Sequence, residues 1–349
     1  MEKFDFAKWV GVDFPLVQAP MAGVQNSKLA LAICKAGGLG SVPCGMLDAG
    51  AVVEEIKRMK KGTNKPYNLN FFCHASYPFD AERHQAWRIQ LKPFFQRYGI
   101  DESALGNKAS RLPFSHEIAD AIEDFAPPIV SFHFGLPEPS LLARVKGWGA
   151  KVLSSATTLE EAQWLEDNGA DAVIVQGIEA GGHRGMFLTE SLDSQRPTME
   201  LLPKVADAIN LPVIAAGGLA TRDDVVQAQA FGADAVQIGT AYLLSDEAST
   251  SALHRRALTS EAAKNTALTN VFSGRPARGI INGAMAALDC INEKAPVFPF
   301  ASIEMGPLRA AAEKEGRDDF TPLWSGVNNS HCEAVSAAAI TRKLMGICK

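Results

Sequence analysis

Eight times within its first 245 or so residues, the chain alternates a short apolar, often β-branched run with an amphipathic helical pattern. The runs fall at 14–19, 39–42, 67–72, 128–132, 151–155, 173–176, 212–216 and 234–238. Runs this short, each followed by a helical repeat, predict strands buried on both faces in a parallel sheet. The helical patterns carry their own punctuation. Asn26 or Ser27 caps a segment that is apolar at Leu29, Ala32, Ile33 and Ala36, and Gly37-Gly38 stops it. Thr158-x-x-Glu161 and Thr221-x-x-Asp224 mark two further helix starts. The junction Gly169-Ala170-Asp171-Ala172-Val173 returns as Gly232-Ala233-Asp234-Ala235-Val236, which supports the register. Eight such units in roughly 240 residues match a closed (β/α)8 TIM barrel of the α/β class. An open doubly wound sheet is the rival, but no G-x-G-x-x-G stands between the first strand and its helix.

Two segments break the alternation. Residues 74–125 lose the strand–helix rhythm and read as an insertion after the third strand, helical around 81–98 and 116–125. Residues 246–349 read as a mostly helical segment that packs on the barrel together with part of the insertion, forming a helical subdomain on the substrate side. The barrel is expected to span 1–245, with no linker marking a separate domain.

Composition narrows the function classes. The 349 residues are 47% hydrophobic, enough for a sizeable core, and carry a net charge of −5 with no basic stripe, which argues against a nucleic-acid partner. No apolar run approaches the ~18 residues of a membrane span, and the first residues show no secretory pattern. Cys34, Cys44, Cys73, Cys290, Cys332 and Cys348 are scattered without a C-x-x-C, as expected of reduced thiols in a cytoplasmic protein. No H-E-x-x-H or comparable metal spacing occurs, and no G-x-S-x-G elbow.

Barrel sites gather where strands end. Ala19-Pro20-Met21 follows the first strand, Asn70 lies near the end of the third, and His133 follows the fourth. Gln176 and Gly181-Gly182-His183 follow the sixth, Gly217-Gly218 the seventh, and Gly239-Thr240 the eighth. A single Gly-Gly is an ordinary tight turn. Two glycine turns after the last two strands suit a phosphate held by backbone N–H donors, with the Thr240 hydroxyl adding another. Asn70, Gln176 and Gln237 offer amides that either bond between strands or meet the polar edge of a planar heterocycle. Phosphate, planar ring and a nearby histidine together point to flavin mononucleotide or a similar cofactor. His183 is the candidate acid–base group or substrate orienter. His133 is a second candidate, with an inward-packed structural role as its alternative. His74, His84, His116, His254 and His331 show no ligand-like spacing and read as ordinary.

Five ordered blocks carry a resemblance. They are Gln18-Ala19-Pro20-Met21-Ala22-Gly23-Val24, Ser131-Phe132-His133-Phe134-Gly135, the stretch from Gln176 to Gly185, Ala215-Ala216-Gly217-Gly218-Leu219, and Phe272-Ser273-Gly274-Arg275-x-Ala277-Arg278-Gly279. In this order, over nearly the whole chain, they resemble the nitronate monooxygenase family, formerly the 2-nitropropane dioxygenases, in its first class. The resemblance implies a barrel that holds FMN at its C-terminal face and oxidises alkyl nitronates, such as propionate 3-nitronate, with molecular oxygen to carbonyl compounds and nitrite-type products. It carries Met21, Asn70, Gln176, Gly181, Gly218 and the run Gln237, Ile238, Gly239 and Thr240 over as FMN contacts. Ala19, Pro20, Gly182 and Gly217 join them from the strand-end reading. His183 carries over as the active-site histidine and His133 as a substrate contact. The mechanistic expectation is one-electron transfer from the nitronate to give a flavin semiquinone, with oxygen capturing the radical pair. Ala295-Pro296-Val297-Phe298-Pro299-Phe300 departs from the family pattern, with phenylalanines where members tend to have tyrosines and a lysine around the substrate mouth.

The Ala-Gly-Gly-His block alone is shared with FMN-dependent, NADH-using enoyl-acyl-carrier-protein reductases, so that activity is the first alternative. A non-catalytic flavin-binding barrel is the second, and a flavin-free barrel that binds a sugar phosphate is the third. The chain is expected to act as a monomer or homodimer.

Overall fold

The computed structural model describes residues 4–107 and 111–347, so Cys348 lies outside the described residues. Eight parallel strands form the barrel: β1 (Leu16–Gln18), β2 (Gly40–Pro43), β3 (Tyr67–Phe72), β4 (Ile129–His133), β5 (Lys151–Ala156), β6 (Ala172–Gln176), β7 (Val213–Ala216) and β8 (Ala235–Ile238). Neighbours in sequence are neighbours in space, and β8 returns to pair with β1. The last seam joins β1 to the entry of β2: Gln18 N–H donates to the Leu39 carbonyl (2.9 Å), and Leu39 N–H to that of Leu16 (2.8 Å). The ring is closed, as a (β/α)8 TIM barrel requires.

Strand pleating sorts the side chains into two sets. Val130, Phe132, Val173, Val175, Val236 and Ile238 point outward and pack in the layer between strands and helices. Ile129, Leu153, Ile174 and Ile214 point inward and fill the lower barrel. A short helix, Phe6–Val10, plugs that lower end with Phe6 and Val10; the sequence pattern had not suggested it. Above this apolar floor the interior turns polar. Asn68 Nδ2 donates to Ser41 Oγ (3.0 Å) and Ser131 Oγ (2.8 Å) in a buried network. The upper end of the barrel interior is therefore polar.

Helix starts follow the cap chemistry, with one revision. Asn26 caps the helix Ser27–Lys35, and Thr221–Asp224 forms a reciprocal capping box. At Thr158 only half a box forms. Thr158 accepts from Glu161 N–H, but the buried Glu161 carboxylate turns to Thr157 (N–H 2.7 Å, Oγ 2.8 Å) and to the N–H groups of Phe187 (2.6 Å) and Leu188 (3.1 Å). Those four donors tie the loop after β6 to the helix after β5.

No long helix follows β8. Its place in the outer ring is taken by the last helix, Ala337–Leu344, whose Ala337, Ile340 and Leu344 share a core with Leu29, Ile33, Val225 and Ala228. Between β8 and that helix the chain builds a roof. It contains helices Ala252–Leu258, Gly283–Ala287 and Ser302–Lys314, and also a hairpin, Thr266–Thr269 with Ala277–Ile280. The hairpin takes in as a third strand Gly182–His183, which the sequence reading had placed in a turn. Runs of two to four residues carry too little periodicity to show as strands. The insertion helix Ala81–Tyr98 joins this roof: Trp87, Leu91 and Phe95 pack with Phe272, Met305 and Leu308. Buried Glu304 pins the junction, accepting from Arg88 Nε (2.9 Å) and pairing with His84 Nδ1 (2.8 Å). Among the described residues, no helix is long and apolar enough to cross a membrane.

The returning helix gives a sharp stability test. Thr341 Oγ1 donates to the Ala337 carbonyl (2.9 Å), so it accepts the hydroxyl hydrogen of buried Tyr242 (2.9 Å). Thr341→Val keeps the shape and leaves that hydroxyl unpaired in an apolar core. We expect a loss of about 1–3 kcal/mol in urea unfolding; an unchanged midpoint would show that the Tyr242 contact does not hold the helix.

Candidate active site

At the C-terminal ends of the strands lies a cavity of about 240 Å³. Ala19, Pro20, Met21, Asn70, His133, Gln176, Gly181, Gly182, His183, Gly217, Gly218, Gln237, Gly239 and Thr240 all line it. Ile238 does not. The pleat turns its side chain outward into the core, and its carbonyl accepts from Ala19 N–H (2.8 Å). The family resemblance carries it over with Gln237, Gly239 and Thr240; the strand period of two turns its side chain away from the cavity.

One end of the cavity is walled by glycine. Gly217 and Gly218 have φ of +109° and +70°, values that favour glycine. A Cβ on Gly217 would meet Ala180 N at 3.0 Å, and one on Gly239 would meet Ala19 Cβ at 3.2 Å. Among the described residues, the backbone N–H groups of Gly217, Gly218, Gly239 and Thr240 find no backbone acceptor. A roof loop completes this end: Thr240 Oγ1 accepts from Gly326 N–H (2.9 Å), and Asn328 donates its amide to the Gly218 carbonyl. Thr240 keeps its hydroxyl hydrogen for a ligand. Glu179 is structural, capping the helix Thr198–Ala208 through Thr198 N–H (2.9 Å).

The other end is histidine and aromatic. Gln176 reaches across the loop that carries His183: its Nε2 donates to the His183 carbonyl (3.0 Å), and its Oε1 accepts from Gly185 N–H (2.8 Å). Arg184, fully buried, donates to the carbonyls of Gln176 (2.7 Å) and Gly177 (2.6 Å) and to Gln195 Oε1. Burial pushes its pKa down to about 9. The His183 ring lies edge-on to Phe298 (centroids 5.4 Å apart) and beside Trp324 (5.6 Å) and Phe72 (6.4 Å). Its Nε2 bonds Ser273 Oγ (2.8 Å). Burial, with the positive charge of Arg111 next, holds His183 well below the usual histidine pKa, so the ring is neutral.

His133 is neutral too, its pKa lowered by burial to about 4. Its Nε2 faces the His183 carbonyl (3.2 Å), which only accepts, so Nε2 carries the proton and Nδ1 accepts from Ser155 Oγ (3.0 Å). Both nitrogens are occupied by the protein. Gln237 differs: its Oε1 is buried without a partner. Asn70 Nδ2 donates to Ser131 Oγ (3.0 Å).

Sequence reading missed several wall residues. Arg111, His254, Arg309 and Trp324 line the cavity, and Ser273 partners His183 from the hairpin turn. His254, read as ordinary, is buried in the wall with Nε2 unpaired and its pKa lowered to about 4, mainly by burial. No spacing rule marks these residues, because they arrive from the insertion and the roof. Only the Phe272-Ser273-Gly274-Arg275 block carried a signal. Among the described residues, the wall contains no Asp or Glu. Among the described residues, no group of three or more His, Cys, Asp or Glu could hold a metal ion.

Comparison with known proteins shows the family. A nitronate monooxygenase family model matches residues 5–346. The chain is 39% identical to a nitronate monooxygenase of Paraburkholderia phytofirmans, over 96% of this chain and 92% of that one. It is 38% identical to a nitronate monooxygenase of Pseudomonas aeruginosa, over 97% of each. Its fold is similar to that of a nitroalkane oxidase from Streptomyces ansochromogenes, with a TM-score of 0.88 and 34% identity over 97% of each chain. The histidine-bearing loop, the glycine-walled cavity and the barrel beneath them thus belong to a member of the nitronate monooxygenase family of oxidoreductases.

Proposed function

We propose that the cavity holds FMN and that the protein oxidises alkyl nitronates with molecular oxygen, yielding a carbonyl compound and nitrite-type products. The observation that carries this reading is His183, a neutral imidazole in an aromatic pocket, on the same cavity as the glycine-walled end. The residues present fit the cofactor. The free N–H groups of Gly217, Gly218, Gly239 and Thr240 would hold a phosphate, and a side chain at Gly239 would crowd Ala19 and Met21 on the cavity wall. Gln237, with its orphaned Oε1, and Asn70 would meet the polar edge of the ring. Bound there, FMN would supply the redox chemistry, taking electrons from the nitronate ahead of oxygen.

The chain's own residues prepare the substrate. The Ser273 hydroxyl hydrogen has two acceptors, the Arg275 carbonyl (3.4 Å) and His183 Nε2 (2.8 Å). When it points to Arg275, Nε2 carries the His183 proton and Nδ1 is a lone-pair base for the α-proton of a neutral nitroalkane. When it points to His183, Nδ1 carries the proton and can donate to a nitronate oxygen. Rotation of one hydroxyl therefore suits His183 to either substrate form. His133, with both nitrogens engaged, supports the His183 carbonyl and through it the loop. The aromatic wall excludes water, which strengthens each of these contacts. The described cysteines are all free, in keeping with a reducing cytoplasm.

His183→Asn keeps a polar side chain and removes the base. With a neutral nitroalkane we expect nitrite release to fall about 100-fold or more at unchanged flavin content; wild-type rates would remove His183 from the mechanism. Because the ring resists protonation, the acid limb of kcat/KM for that substrate is expected below the ordinary histidine pKa of about 6.5, with activity lost only as pH falls further. A limb at or above that value would contradict the buried, neutral imidazole. Gly239→Ala places a methyl group against Ala19 and Met21 without calling for a left-handed backbone. We expect the purified variant to stay folded and to retain severalfold less FMN; full retention would place the phosphate elsewhere.

A further inference from the structure

We propose that Arg111 is a specificity-determining residue that anchors a carboxylate on the far end of the substrate, so that this chain prefers nitronates bearing a second negative charge. The inference rests on the nitronate reading above and deepens it. Arg111 lines the same cavity as His183, and its Nη1 is buried without a hydrogen-bond partner. An unpaired, desolvated guanidinium N–H is costly, and a ligand carboxylate is the group that satisfies it best, through two parallel bonds. Among the described residues, the cavity wall has no Asp or Glu and Arg111 Nη1 has no partner.

The other cations nearby are already engaged. Arg309 donates to Glu313 (2.7 Å). Arg275 donates to the Met186 carbonyl (3.0 Å) and lies over the Phe134 ring (4.3 Å). Arg111 shares the cavity wall with His183 and Trp324. Phe298, against His183, offers no polar contact. The charge that binds a second anionic group therefore comes from the insertion after β3 rather than from the 295–300 segment. Bidentate pairing distinguishes a carboxylate tail from an alkyl tail of equal length, because the alkyl tail leaves Nη1 unsatisfied.

The test compares FMN-loaded wild type, Arg111→Gln and Arg111→Lys on propionate 3-nitronate and on the nitronate of 1-nitropropane, which has an uncharged tail. We expect wild type to favour the carboxylated substrate by about tenfold or more in kcat/KM. Arg111→Gln should lose that preference mainly through KM, with the carboxylated nitronate losing about tenfold more than the alkyl nitronate. Arg111→Lys should recover part of it. Equal losses on both substrates, or no preference in wild type, overturn the proposal. Calorimetric titration with succinate gives a second readout that needs no turnover. Binding to wild type should weaken about tenfold in Arg111→Gln, and equal binding by both overturns the anchor. If neither nitronate is oxidised while succinate binding still depends on Arg111, the reaction assignment fails and the anion site stands.

Discussion

A buried arginine fork holds the part of this molecule where its chemistry is proposed. Arg184 sits with no solvent exposure and spends its guanidinium on two backbone carbonyls at the end of β6 and on the Gln195 amide. Desolvating such a group costs several kcal/mol unless every donor is used, so the hydrogen bonds must form together or not at all. Gln176 spends both ends of its amide on the same loop, and Glu161 fastens its far side. The loop is glycine-rich, yet its path is set by these three side chains. His183 is therefore presented by a rigid frame, and its carbonyl becomes the fixed acceptor for His133.

That frame makes sense of the electrostatics. Among the described residues, the cavity combines cations, neutral histidines and backbone N–H donors with no carboxylate. Each histidine in it has a pKa lowered first by burial, and the arginine charges reinforce the effect on His183 and His133. An interior of this kind holds its own ring nitrogens uncharged and reserves its positive potential for an anionic guest. The aromatic cage around His183 keeps the potential from being screened by water.

Strand–helix alternation and the residues at strand ends were legible because both are local. Gly217-Gly218 and Gly239-Thr240 could be placed from their strands alone, and pleat parity would also have removed Ile238. Gln176 was found at the right place, but its partners were invisible, since they lie on a loop whose return path no pattern states. The same limit hid Ser273, Trp324 and Arg111. Trp324 and Arg111 reach the cavity, and Ser273 reaches His183, from the roof or the insertion, where long-range packing such as that of Trp87 and Phe95 against Phe272 decides position. The eighth outer helix was displaced by the roof to Ala337–Leu344, so counting units in order could not assign it. The hairpin behind Ser273 was masked by its brevity.

The most direct measurement is an anaerobic absorbance spectrum of the FMN-loaded protein, recorded with propionate 3-nitronate and separately with NADH, followed by admission of air. The account predicts that the nitronate alone perturbs the flavin bands and that oxygen uptake with nitrite release follows when air enters. Flavin bands untouched by nitronate but bleached by NADH would contradict it and assign the cavity to a nicotinamide-dependent reduction.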